Sequence, residues 1–355
     1  MIIQKAYIFN RHLYDGIKAS TIGGLRANQI KVYSSTFSNN VQSENVFIPS
    51  HWDQLHSYDL VIWGEEEITQ VDQLPGLPRT GQILVMIDGG DITKIRYNHN
   101  IKPHLLFKRE LFQKTHQKIK GAIYPFSFAV EDMYWQEFIP HQARQYDYSC
   151  MLRLASNPFR TKLKEALEEV GLKMNKGLAH FVGETGEISY GDNKAFRRPT
   201  PKYFKLLNQS RVSINCYGAG QDCFRFWEIL GSGAMLLSQR LELAMAHPFQ
   251  DGVHGLFFDN LKEFEEKFKF SMHHPDRAQE IAFNGYAHAK EFHSVYQRGK
   301  YLLDKIQENK LTTENPSQLN QQYIHWEAIK KSNNFIYYQR KHWSKVKNFF
   351  IKSAV

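Results

Sequence analysis

Cysteine is scarce in this chain: three in 355 residues, at positions 150, 216 and 223. They are too few and too oddly spaced for a disulfide framework or a zinc site, and a reducing compartment suits them. Long apolar runs are missing as well. No window approaches the roughly 18 uninterrupted apolar residues of a membrane span. The opening MIIQKAYIFNRHLYDG contains no signal-peptide core and reads better as a first strand. A cytoplasmic protein is the expectation. Histidine is plentiful, at sixteen, but the pairs 273–274 and 288/293 lack the i, i+4 spacing of H-E-x-x-H. No cysteine or carboxylate stands at zinc spacing from them, no convincing D-x-D motif is present, and no internal repeat recurs at a fixed period.

What is present describes a globular protein. Hydrophobic residues make up 42% and aromatics 14%, which excludes disorder for most of the length. A chain of this size exceeds one comfortable core, so two domains are expected. The net charge of +9 points to an anionic partner: a nucleotide diphosphate, an anionic lipid surface or a nucleic acid. A basic surface serving solubility alone is the plain alternative.

Short apolar runs alternate with helix-compatible stretches. Strands are expected at 2–9, 31–34, 58–63 (YDLVIW) and 82–87 (QILVMI), with part of a helix at 23–30. Continuous apolar runs of strand length suit a parallel sheet buried on both faces. A second series starts near residue 146. It has strands at 147–154, 177–182, 211–216, 234–238 and 256–258, and helices at 158–170, 224–230, 261–270, 274–292 and 296–308. This alternation indicates βαβ units and an α/β class. Residues 312–320, polar and containing Pro316, read as a linker. Residues 321–352 mix aromatics with seven lysines or arginines from Lys330 onward.

The most informative stretch is 210–238, SRVSINCYGAGQDCFRFWEILGSGAMLLS: a buried strand, a glycine loop, a helix, a glycine break and a strand. Ligands of open α/β sheets bind outside the carboxyl ends of the strands. Gly218 and Gly220 let backbone approach a ligand closely, and the free N–H groups opening the next helix favour a phosphate. Arg225 and Glu228, three residues apart, share one helical face. A guanidinium suits a diphosphate, and a carboxylate can accept both hydroxyls of a ribose. On an ordinary solvated helix the same pair would be a plain ion pair. The preceding strand and glycine loop, and the apolar opposite face (Phe226, Trp227, Ile229, Leu230), argue for more.

FRFWEILGSGAMLLS, with HPFQDGVHGLFFDNLKEFEEKF after it and the later HHPDRAQEIAFNGYAHAKEFH, resembles the donor domain of group 1 glycosyltransferases, especially the spore-maturation CgeB-like branch. YDYSCMLRLASNPFRTKLKEALEEVG resembles the opening of that domain, and exostosin-type transferases share a similar arginine–aromatic–glutamate step. The resemblance covers roughly residues 146–306 and is only architectural before them. It implies a GT-B α/β architecture: two Rossmann-like doubly wound domains facing a central cleft, with a C-terminal helical extension. The corresponding domains are 1–145 (acceptor side), 146–310 (nucleotide-sugar donor) and 311–355 (linker and basic aromatic helix). It also implies a UDP- or GDP-sugar donor and no bound metal or other cofactor. Glu228 would contact the donor ribose and Arg225 its phosphates. Ser156 and Arg160 stand where such enzymes also hold phosphate; Arg153, a strand arginine, could equally pair with a neighbour. Many retaining members carry another glutamate eight positions before the ribose-binding one. Here that position is Gly220, so the stereochemical outcome does not carry over.

An inverting transferase needs a base near the acceptor hydroxyl. QILVMI runs into Asp88-Gly89-Gly90-Asp91, which makes Asp88 the first candidate and Asp91 the second. The phage DNA β-glucosyltransferases, similar in fold, place their base after a comparable strand and show an R-x-W-E step. D-G is also a turn dipeptide, so Asp88 could simply cap a turn. Glu65–Glu67, after YDLVIWG, read as a solvated loop or helix start. The segment 323–352 suits an anionic membrane interface, a nucleic acid with stacked bases, or a helix packed on the N-terminal domain. The leading expectation is transfer of a sugar to a glycan or lipid-linked acceptor of the cell envelope, with peripheral contact at the inner membrane face as one option. A DNA-modifying transferase and a non-catalytic nucleotide-sugar binding module are the alternatives.

Overall fold

The computed structural model describes residues 3–11, 16–36, 41, 43–94, 100–118, 123–171, 177–183, 186–190 and 200–309. The expected linker and basic aromatic segment lie outside these residues. The chain divides into two compact units. Of the described residues, the first comprises those up to Ser127, Leu243–Ala246 and 299–309. The second comprises Phe128–Glu242 and His247–Arg298.

The first unit contains β1 (Lys5–Ile8), α1 (Gly16–Ala27), β2 (Lys31–Ser34), β3 (Leu60–Gly64), α2 (Ile68–Gln73), β4 (Ile83–Asp88), β5 (Leu105–Lys108), α3 (Gln113–His116) and β6 (Ile123–Pro125). Its six strands are all parallel, in the order β2-β1-β3-β4-β5-β6. Every residue of LVIWG in β3 and ILVMID in β4 is buried, as expected of central strands covered on both faces. One face packs Tyr7, Trp52, Trp63, Met86 and Leu106 into a single cluster.

The second unit contains β7 (Tyr146–Arg153), α4 (Phe159–Gly171), β8 (Gly177–Gly183), β9 (Gly186–Tyr190), α5 (Pro201–Asn208), β10 (Ser210–Asn215), α6 (Phe224–Ser232), β11 (Met235–Gln239), β12 (Leu256–Phe258), α7 (Leu261–His273) and α8 (Pro275–Phe292). α9 (Val295–Glu308) starts in it and continues into the first unit. The sheet order is β12-β11-β10-β7-β8-β9, parallel except for the edge strand β9, which pairs antiparallel with β8. Helix starts follow local chemistry. Thr200 caps α5 by accepting from the Tyr203 N–H at 3.2 Å, with Pro201 in the first turn. Asn260 caps α7 by accepting from the Glu263 N–H at 3.0 Å, and Glu263 reaches back to accept from Asp259 N. α6 ends at Gly233, whose φ of +72° is the left-handed conformation that glycine adopts without cost.

In both sheets the chain order reverses once, between β1 and β3 in the first and between β7 and β10 in the second. Loops leaving the carboxyl ends of two such strands diverge and leave a crevice. The strands 31–34 and 256–258 lie where the sequence placed them, and most others within about two residues, the usual boundary scatter. The short strands β5 and β6, and helix α5, were not read from the sequence.

Candidate active site

At the reversal point of the second sheet, the loop after β7 meets the loop after β10 and the start of α6. Asn157 holds these loops together: its Oδ1 accepts from the Phe159 N–H at 3.0 Å and its Nδ2 donates to the Gly218 carbonyl at 3.4 Å. Gly218 N donates to Gly220 O at 2.9 Å, which closes the glycine turn. Arg160, buried, donates to three carbonyls: Tyr217 and Cys216 after β10, and Arg153 at the end of β7. The predicted phosphate ligand is thus occupied in shaping the loop. Ser156 lies half-buried in the turn after β7, while Arg153 is exposed.

Arg225 and Glu228 sit side by side on the first turns of α6, with Arg225 Nη1 3.4 Å from Glu228 Oε2. Glu228 is 4% exposed. Its Oε2 accepts from the Tyr203 hydroxyl at 2.7 Å, and the Tyr203 ring also carries the Arg225 guanidinium, 5.1 Å from its centroid. The buried Nε and Nη1 of Arg225 have no hydrogen-bond partner. Burial raises the Glu228 carboxyl above the ordinary carboxylate range, and only the Arg225 charge opposes it. Burial lowers Arg225 in turn, with Glu228 working against the shift and Arg160 adding to it. A buried cation and anion joined by one long contact, with donors left over, form an incompletely satisfied pair. No side chain caps the start of α6 at Cys223.

Two residues outside the sequence prediction hold this site. Asp222 accepts from Trp227 Nε1 at 2.7 Å and from the Phe128 N–H at 2.8 Å, so it orients α6 and the chain entering the unit. Tyr203 comes from α5, 25 residues before Glu228. Trp227 is further packed against His293, 5.4 Å between ring centroids. His293 Nε2 donates to the His247 carbonyl at 2.8 Å. Burial, followed by the Arg298 charge, holds that imidazole well below its usual range.

The first unit gathers charge outside β3, β4 and β5. Asp88 is fully buried, 2.9 Å from the equally buried Lys108 amine. Asp88 Oδ1 also accepts from the Gly90 N–H at 3.2 Å, which is the turn-capping contact that D-G suggests. Asp91 is 52% exposed and paired with Arg109, whose Nε donates to Gly89 O at 2.7 Å. Glu67 is buried against Lys18 at 2.7 Å and accepts from Gly64 N. Glu65–Glu67 lead directly into α2, one of the two expectations for them, a solvated loop or a helix start, but Glu67 is a core ion pair and not solvated. Glu65, half-buried, accepts from the Gly89 N–H at 2.9 Å. Burial, and then the neighbouring Asp88 charge, raise its carboxyl above the usual range. Among the described residues no group of three or more His, Cys, Asp or Glu is placed to hold a metal ion. No helix among them is long and apolar enough to cross a membrane.

Residues 160–304 match the family described as glycosyl transferase-like. No curated protein matches the sequence. Among solved structures, the chain is similar to an alpha-glucosyltransferase in complex with UDP and a 13-mer DNA containing an HMU base. The TM-score is 0.58 at 11% identity, over 86% of this chain and 99% of that one. It is equally similar to Anabaena HepE in complex with UDP-glucose, with the same TM-score, identity and coverage. HepE bound to UDP gives 0.54 at 9% identity, over 86% of this chain and all of that one. These likenesses bear out the GT-B α/β fold that the sequence resemblance implied; the expected C-terminal extension lies outside the described residues. The DNA-bound relative is an alpha-glucosyltransferase; beside the group 1 resemblance, the sequence had suggested the phage β-glucosyltransferases as similar in fold. The chain has the fold of these glycosyltransferase structures, and its residues 160–304 match the glycosyl transferase-like family.

Proposed function

We propose that the chain transfers a hexosyl group from a uridine-diphosphate sugar to a glycan or lipid-linked acceptor of the cell envelope. The observation that carries this reading is the Arg225–Glu228 pair. A buried carboxylate held by Tyr203 and a guanidinium with unpartnered buried donors stand at the reversal point of a parallel sheet. In this reading Glu228 accepts the two ribose hydroxyls and Arg225 donates to the diphosphate as it leaves. Ser156, the turn of Gly218 and Gly220, and the uncapped start of α6 supply further donors to phosphate. Arg160 keeps that turn in place, and Arg153 stands further out. The choice of uridine over guanosine follows the similar structures, which hold UDP or UDP-glucose.

In the first unit, Asp91 suits the role of acceptor base better than Asp88, because it is half-exposed while Asp88 is buried against Lys108. Glu65 is a third acid at the same strand ends, with a carboxyl already raised toward neutrality. A second reading, transfer to a modified base in DNA, is favoured by the DNA-bound relative and the +9 charge. Calorimetry with UDP, followed by UDP-glucose hydrolysis, tests the donor half. Tight UDP binding and slow hydrolysis are expected, and both should be lost in Glu228→Ala. Binding without any hydrolysis would leave a nucleotide-sugar binding module. Activity on a hydroxymethylated duplex that falls steeply with salt would favour the second reading.

A further inference from the structure

In the second unit, the turn at residues 247–255 (HPFQDGVHG), between β11 and β12, packs its rings against both α6 and α8. Phe249 is the anchor on α6, its ring 5.2 Å from Phe226 and 6.0 Å from Trp227 between centroids. Those two residues belong to the apolar side of the helix that carries Arg225 and Glu228. Around Phe249 stand three imidazoles: His293 at 4.8 Å, His288 at 4.9 Å and His254 at 6.1 Å. His254 and His288 stack on one another at 4.1 Å, with 17° between their planes. Gly285, one turn before His288 on α8, makes room for this contact. A Cβ there would stand 2.3 Å from the His254 carbonyl oxygen.

The hydrogen bonds of the stack require neutral rings. His254 Nδ1 accepts from the Gln250 N–H at 3.1 Å, which a ring carrying a proton on that nitrogen cannot do. His288 donates from Nε2 to the His247 carbonyl at 3.0 Å. Two charged rings would set like charges about as close as the stack itself. Burial lowers both imidazoles below 6.5, and for His254 the His288 charge adds to the shift. For His288 the bond to the His247 carbonyl opposes it, the His247 charge adds to it, and Glu291 opposes it. The other charged groups nearby have partners of their own. Asp251 meets Arg240 and Lys267, and Arg277 meets Glu280 and the Gly252 carbonyl. Lys290 lies over the Tyr286 ring, and Arg298 stands beside His293. We propose that the His254–His288 stack is a pH-sensitive latch on the donor site. Neutral, it holds Phe249 against α6 and keeps Arg225 and Glu228 in position. Protonated, it loses the Gln250 bond, frees the turn and weakens donor binding. His254 and His288 are positioning residues, and the proposal rests on the reading of Arg225 and Glu228 as donor ligands.

Calorimetry of UDP-glucose into the full chain, from about pH 7.5 to about pH 5.5, tests this against a His254→Asn/His288→Gln variant. UDP-glucose is the probe because its diphosphate is esterified at both ends, whereas the terminal phosphate of UDP gains a proton at about pH 6. Asparagine Oδ1 can accept the Gln250 N–H and glutamine Nε2 can donate to the His247 carbonyl. Both hydrogen bonds are thereby kept while the titrating stack is lost. At about pH 7.5 the two proteins should bind alike. Over the acid range the wild type should lose about tenfold more affinity than the variant, as one proton per pH unit below the ordinary histidine value allows. Protonation of Glu228 acts on both proteins, so the difference isolates the latch. Matching pH profiles overturn the latch and leave the donor site standing. A second readout needs only wild type for its titration. The His254 ring resonance, assigned by its loss in His254→Asn, should titrate at lower pH with UDP-glucose bound, because the coupling is reciprocal. An unchanged midpoint overturns the proposal even where the double variant does not fold. Absence of UDP-glucose binding by the wild type at about pH 7.5 overturns the donor assignment, and the latch with it.

Discussion

Both sheets bury charge outside the carboxyl ends of their strands, and they treat it in opposite ways. In the first, the Lys18 amine donates to both oxygens of Glu67, at 2.8 and 2.7 Å, and that carboxylate takes a further N–H from Gly64. In the second, Glu228 and Arg225 share one contact of 3.4 Å, and two guanidinium nitrogens are left without a hydrogen bond. A satisfied buried pair holds the fold together. An unsatisfied one carries a desolvation cost that a ligand can relieve. The contrast separates charges that build the protein from charges kept for a substrate, and substitutions can test it on each side.

The largest effect is expected on the unsatisfied side. Glu228→Ala and Arg225→Ala should each weaken UDP binding about a hundredfold, the scale of losing charge-assisted hydrogen bonds, and reduce turnover below detection while the far-ultraviolet spectrum is unchanged. On the satisfied side, Lys18→Ala should leave the buried Glu67 carboxylate without its amine. That costs about 3–5 kcal/mol of stability, seen as a lowered unfolding midpoint in denaturant. Stability loss from the Glu228 substitutions as large as that from Lys18→Ala would erase the distinction.

The pH dependence sharpens the comparison at smaller amplitude. The Glu228 carboxyl is raised from an ordinary value of 4.5 by burial. Between that value and its raised native one the folded chain binds the extra proton, so wild-type stability falls as pH rises through this window. Glu228→Gln should remove that slope, leaving the variant at least as stable as wild type at neutral pH while it no longer binds donor. Thermal unfolding across pH reads both effects. The histidines act in the other direction. Burial lowers His293 well below 6.5, and lowers His104 to about 4. The unfolded chain takes up protons first, so stability should fall as pH drops below about 6.5. His104→Gln should flatten part of that decline. Tyr203→Phe is the mildest change: one hydrogen bond to Glu228 is lost, and UDP affinity should fall about tenfold.

The central strands were legible because a strand covered on both faces has to be apolar throughout, as in LVIWG and ILVMID. The Arg225–Glu228 step was legible because both residues lie on a single helix at a fixed spacing. The partners of those groups left no such trace. Tyr203 reaches Glu228 across 25 residues, and Asp222 reaches Phe128 across 94, distances over which no local pattern operates. Arg160 looked like a phosphate ligand because its position, not its partners, could be read. Its three carbonyl contacts are set by how the loops after β7 and β10 converge. Glu67 looked solvated because Lys18 lies 49 residues earlier. The roles of acids and bases depend on tertiary neighbours, and a sequence displays only their types.

Titration calorimetry of UDP into wild type and Glu228→Gln, at neutral pH and with unfolding curves on the same samples, addresses the underfilled pair most directly. The account predicts a binding isotherm for the wild type, none for the variant, and a variant melting temperature at or above the wild-type value. A variant that binds UDP as the wild type does would contradict it.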